Sequence, residues 1–118
     1  MTTVTLDLLP SGSITAFRSR GHSGYAPSGS DIVCAAISAI LQTAVLGLRE
    51  VAGLFVACEM DEEQGEMEVI LERDLAPTQR NTADIILNTM RQGLLSLQLA
   101  RPDNLKIVER RCKNPCSR

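Results

Sequence analysis

The strongest constraint on the fold is a change of hydrophobic period along the chain. Residues 3–9 alternate, with Val4, Leu6 and Leu8 on one side and Thr3, Thr5 and Asp7 between them. Period-2 alternation predicts a strand with one buried face. The turn Pro10-Ser11-Gly12-Ser13 and a second run over 14–20 make this an antiparallel hairpin. Leu54, Val56 and Cys58, then Met67, Val69 and Leu71, repeat the pattern around the acidic turn Asp61-Glu62-Glu63-Gln64-Gly65. Between the hairpins the period becomes helical. Ile37, Leu41, Ala44 and Leu48, widened by Ile40 and Val45, predict a mostly buried helix over 31–46. Ser30 suits its N-cap, and Asp31 suits the positive end of its dipole. Residues 77–81 lead into a second helix with the stripe Ala83, Ile86, Met90, Leu94 and Leu97. Leu105, Ile107 and Glu109 then alternate with Lys106, Val108 and Arg110 in a short fifth strand.

The order strand-strand-helix-strand-strand-helix-strand predicts an α+β fold of two layers, a mixed or antiparallel sheet covered by two helices. The uncovered sheet face, rich in Thr, Glu, Arg and Ser, is left to solvent or to a partner, and a homodimer is expected. At 118 residues the chain suits one domain. Its boundary is placed at 1–110, with a basic tail over 111–118.

Composition removes several function classes. A net charge of −2 excludes a strongly basic nucleic-acid binder, so no direct nucleic-acid contact is expected. No Trp, one Tyr and two Phe argue against an aromatic platform for single strands. The start of the chain lacks the basic and apolar segments of a signal peptide. The apolar stretch 32–48 is interrupted by Ser38, Gln42 and Thr43, so no membrane span is expected. The four cysteines then read as free thiols of a reducing cytoplasm.

One stretch concentrates the reactive groups. His22, the sole histidine, follows the second strand; Cys34 falls near the predicted start of a helix; a glycine-rich loop lies between them. A thiol at a helix N-terminus, faced by an imidazolium and flanked by backbone N–H groups, suits nucleophilic catalysis. Asp31 shares a helix face with Cys34, where it would orient His22, hold a substrate amine, or simply complement the helix dipole. Gly21, Ser23, Gly24, Gly29 and Ser30 are expected to form a mobile substrate lid. The loop lacks the Lys and spacing of a phosphate-binding P-loop. Cys58 reads as core. Cys112 and Cys116 sit in the basic tail without enough partners for zinc, so neither a metal nor a cofactor is expected.

Gly21-His22, the variable loop, and Asp31-Ile32-Val33-Cys34-Ala35-Ala36-Ile37-Ser38 resemble the signature of the ribosomal-processing cysteine protease (Prp) family. The resemblance extends over nearly the whole chain. It implies a cytoplasmic, usually dimeric endopeptidase that trims a short N-terminal extension from a large-subunit ribosomal protein, the twenty-seventh. Under the resemblance Cys34 matches the nucleophile, His22 the general base and Asp31 the acidic residue of the signature. Ser23 stands where Ala is common, a small-for-small change. Two other readings compete. One is a non-catalytic dimeric ribosome-assembly module with structural His22 and Cys34. The other is a thiol-redox protein, disfavoured because no resolving Cys lies near Cys34 in the sequence.

Overall fold

The computed structural model describes residues 1–21, 28–61 and 63–111, with 28–31 placed as backbone. In chain order the elements are β1 (Thr2–Leu8), β2 (Ile14–Arg20), α1 (Ser28–Leu46), a π-helical turn (Gly47–Val51), β3 (Val56–Asp61), β4 (Glu66–Leu71), α2 (Pro77–Ala100) and β5 (Leu105–Arg111). The five strands form one sheet in the order β3-β4-β2-β1-β5. Both expected hairpins are present, and β2 and β4 join them antiparallel at the centre of the sheet. β5 runs parallel to β1, with Thr2 opposite Leu105 and Val4 opposite Ile107. A parallel neighbour needs a long crossover, which α2 supplies. The fold is therefore α+β, a mixed sheet with two helices, as the periodicity predicts.

The core lies between the sheet and the helices. Val4, Leu6, Phe17, Val56 and Val69 from the sheet meet Val33, Ile37, Leu41 and Leu48 from the first helical segment and Ala83, Leu87, Met90 and Leu94 from α2. The α2 stripe is rotated slightly from its predicted centre. Leu87 is fully buried, while Ile86 and Leu97 pack at the margin. A register shift between Asp7 and Leu8 places Leu6 opposite Phe17 and Leu8 opposite Ile14. Ile14 and Phe17 are three positions apart and would face opposite ways in a regular strand; the bulge lets both side chains be buried. The segment Ile32–Val51 has the length and hydropathy of a membrane span. Within it Val33, Ile37, Leu41, Ala44, Val45 and Leu48 are buried in the core, while Ile32, Leu46 and Val51 are exposed.

The open face of the sheet is a charge network rather than a bare polar surface. Asp7 is fully buried there. Its Oδ2 accepts from Arg18 Nη2 at 3.2 Å, and Arg110 donates through Nε at 3.0 Å and Nη2 at 3.1 Å. Arg18 also reaches Glu68 at 3.4 Å, so the network ties β1, β2, β4 and β5 together.

Three boundaries differ from expectation. α1 begins at Ser28, so Ser30 is not its N-cap, and Gly29 and Ser30 belong to its first turn rather than to a loop. The low helix propensity of Ser and Gly is a weak force against a helix held by a buried stripe. The helical path does not stop at residue 46 but continues through the π turn, where an added Cβ on Gly47 would lie 3.3 Å from Ile86 Cγ2. A side chain there would crowd α2. At the other end of the chain, Arg111 is a strand residue whose guanidinium donates to the Pro10 carbonyl at 3.2 Å, so it is not part of a tail. Residues 112–118, including Cys112 and Cys116, lie outside the described residues.

Candidate active site

Three separate pieces of chain converge on Cys34. The first is the start of β1, where the Thr2 N–H donates to the Asn104 carbonyl at 3.0 Å and fixes the strand against β5. The second is the end of β2. Gly21 has φ +83°, and an added Cβ would lie 2.8 Å from the Met1 carbonyl oxygen, closer than real Cβ contacts come. Only glycine combines that backbone angle with that approach. The third is α1. Val33 and Ile37 are buried against the sheet, which leaves Cys34 half-buried beside the start of β1.

Thr2 links these pieces. Its hydroxyl donates to the Gly21 carbonyl at 3.4 Å, and the same oxygen lies 3.9 Å from Cys34 Sγ. Cys34 opens on a cleft of about 270 Å³. Ser38, Leu41 and Gln42 of α1 continue its wall, Ser19 and Gly21 of β2 form another side, and Met60, Asp61, Glu66 and Met67 of the β3–β4 hairpin close it. The half-buried thiol of Cys34 is thus part of the wall of this cleft.

The sequence-based site divides into what the structure reaches and what it does not. Cys34 is the seventh residue of α1 and so lies in its second turn. The dipole fades within the first turn, and the unbonded N–H groups of a helix are those of its first four residues. The thiolate and oxyanion support expected from a helix start is therefore a turn away from the sulfur. His22, Ser23 and Gly24 lie outside the described residues, as does the side chain of Asp31. Gly21, peptide-bonded to His22, stands against Thr2 and thereby beside Cys34. Cys58 lies in β3, half-buried and packed against the core cluster. Among the described residues, no group of three His, Cys, Asp or Glu is placed to hold a metal ion.

The family model for cysteine protease Prp matches residues 1–106. The chain belongs to this family. A curated relative, the ribosomal processing cysteine protease Prp of Bacillus subtilis, is 28% identical over 95 residues, covering 80% of this chain and 85% of its own. The fold is shared with the crystal structure of an essential ribosomal processing protease Prp from Staphylococcus aureus in complex with a substrate peptide. That match has a TM-score of 0.81 and 24% identity over 93% of this chain and all of the other. SMU.848 from Streptococcus mutans superposes with a TM-score of 0.83 at 23% identity, covering 95% of this chain and 96% of its own.

Within this Prp chain, the neighbours of Cys34 that sequence reasoning missed are Thr2 and the β3–β4 hairpin. The hairpin residues that line the cleft are 26 or more positions away along the chain, with nothing local to mark their approach. Thr2 did carry a signal. It lies two residues before Val4 and four before Leu6, on the face that is otherwise apolar, and its side chain is buried. A hydroxyl on the buried face of a strand asks for a partner.

Proposed function

We propose that this protein is a cysteine endopeptidase that removes the N-terminal extension of a large-subunit ribosomal protein, with Cys34 as nucleophile and His22 as general base. The observation that carries this is the placement of Cys34 in the wall of a cleft bounded by strand ends and a hairpin. Membership of the Prp family supplies the class of substrate. His22 takes the thiol proton, and the sulfur attacks the scissile carbonyl. The imidazolium then protonates the leaving amine, and water releases the acyl-enzyme. Asp31, three residues before Cys34, serves to orient His22. The cytoplasm, where ribosomal proteins are made, is the compartment this reading requires.

The catalytic unit extends through β5, because β1 depends on β5 for its parallel pairing and Thr2 for its backbone partner. The active form is a homodimer joined through the helices. Between α1 and α2 lies an apolar groove of about 500 Å³ that includes Ile40, Gly47, Ile86 and Gly93. Ile85, which also lines it, is 70% exposed, whereas the open sheet face is charged. Ile85→Glu is expected to convert a dimer to a monomer in light scattering; a wild-type monomer refutes the assembly.

The test of the activity is cleavage of a peptide spanning the N-terminal extension of the ribosomal protein, with products read by mass. The wild type is expected to cut once, and Cys34→Ala and His22→Ala are expected to be inactive. An intact peptide after incubation with wild type, or full cleavage by Cys34→Ala, overturns the proposal.

A further inference from the structure

Thr2 occupies a position that packing alone does not explain. Its side chain is 4% exposed and faces inward with Val4 and Leu6. Valine has the same shape, suits a strand at least as well, and would carry no polar atom into that layer. The hydroxyl instead sits between two groups, the Gly21 carbonyl at 3.4 Å and Cys34 Sγ at 3.9 Å. A carbonyl only accepts, whereas a sulfur donates as a thiol and accepts as a thiolate. The hydroxyl has one proton to give, so its direction depends on the state of Cys34.

We propose that the Thr2 hydroxyl is a hydrogen-bond donor to the Cys34 thiolate, switching to it from the Gly21 carbonyl when the thiol ionises. This rests on Cys34 being the nucleophile. While Cys34 is a thiol, its S–H points to Thr2 Oγ1 and the Thr2 O–H points to the Gly21 carbonyl. When the thiol proton passes to His22, the Thr2 O–H turns through its free rotation about Cβ–Oγ1 to the sulfur. Thr2 stays neutral throughout and no proton leaves it. The separation of 3.9 Å is at the outer reach of a hydrogen bond to sulfur, and such bonds tighten once the charged form is present.

The charges around the sulfur make such a donor useful. Asp61 and Glu66 of the β3–β4 hairpin line the same cleft. Asp31 precedes Cys34 on its own helix, and His22 follows Gly21 in the chain. Arg20, on β2, is paired with Glu66 at 4.0 Å. Ionised carboxylates only accept hydrogen bonds and so offer the sulfur no donor, and the unbonded N–H groups of the first turn of α1 are a turn away. Thr2 supplies a neutral donor from the sheet side.

The experiment compares Thr2→Val and Thr2→Ser with wild type. Alkylation of Cys34 by iodoacetamide is followed by mass against pH, together with kcat and KM for peptide cleavage and the melting temperature. Thr2→Val is expected to move the alkylation profile to higher pH and to lower kcat roughly tenfold with little change in KM. Thr2→Ser is expected to restore both. If Thr2→Val fails to fold, Thr2→Ala against Thr2→Ser makes the same comparison. A wild-type alkylation profile and kcat in Thr2→Val, with Cys34→Ala inactive, overturns the role of Thr2 and leaves Cys34 as nucleophile. Full activity in Cys34→Ala overturns the assignment of Cys34 and the role of Thr2 with it.

Discussion

Gly21→Ala tests the geometry that brings the strand ends to Cys34. Two separate costs apply at this residue. The first is conformational: an L side chain at φ +83° is strained by about 1–2 kcal/mol. The second is steric. The new methyl would stand 2.8 Å from the Met1 carbonyl oxygen, a backbone atom that cannot rotate away, so β1 and the end of β2 must part. Backbone shifts of that kind cost about 1–3 kcal/mol. Gly12 separates the two terms, because it has φ +98° with nothing within 4 Å of its added Cβ. Gly12→Ala therefore carries the strain alone. At roughly 5 °C per kcal/mol for a domain of this size, Gly12→Ala is expected to melt about 5–10 °C below wild type and Gly21→Ala about 10–25 °C below. Both are measured by calorimetry. Peptide cleavage is then compared at a temperature where all three are folded. Gly12→Ala is expected to cleave at the wild-type rate. Gly21→Ala is expected to lose tenfold or more, roughly, since the displaced Gly21 carbonyl and Thr2 hydroxyl both belong to the site. Equal melting temperatures for the two variants would refute the steric argument. A wild-type cleavage rate in folded Gly21→Ala would refute the link between this turn and the site.

Asp7→Ala leaves Arg18 and Arg110 without their shared carboxylate on the open face of the sheet. A loss of about 2–4 kcal/mol in urea unfolding is expected, discounted from the fully buried case because Arg110 is half-exposed, and kcat in the folded protein should not change. Gln42→Trp adds bulk to an exposed position in the cleft wall two turns beyond Cys34. Peptide cleavage should fall through a raised KM, while alkylation of Cys34 by the much smaller iodoacetamide continues; equal loss of both would mean that the cleft is not the peptide's path.

Most of the fold could be read from the chain because burial repeats locally. Val4, Leu6 and Leu8 announce a strand face without reference to any other segment, and Ile37, Leu41 and Ala44 announce a helix in the same way. The first boundary of α1 is not legible locally, because Ser30 is a good cap in isolation while the helix begins at Ser28. The π turn has no local mark in the sequence beyond Gly47, whose lack of a side chain leaves room for Ile86 of α2. Cys34 stood out as a thiol in the family signature. Its environment did not, since Thr2 is 32 positions away and the β3–β4 hairpin has no local tie to it.

By itself the sequence determined which faces must be buried, the order of the elements, the α+β class and Cys34 as the residue to examine. Those properties depend on side-chain type and period over spans of a few residues. The tertiary structure alone decided that β5 runs parallel to β1, that Asp7 is buried between arginines from two strands, and that Thr2 and Gly21 stand beside the thiol. Each of these is a meeting of groups 11 to 103 positions apart. Such meetings are set by how the hairpins and crossover helices stack on one core, not by the pattern within any one of them.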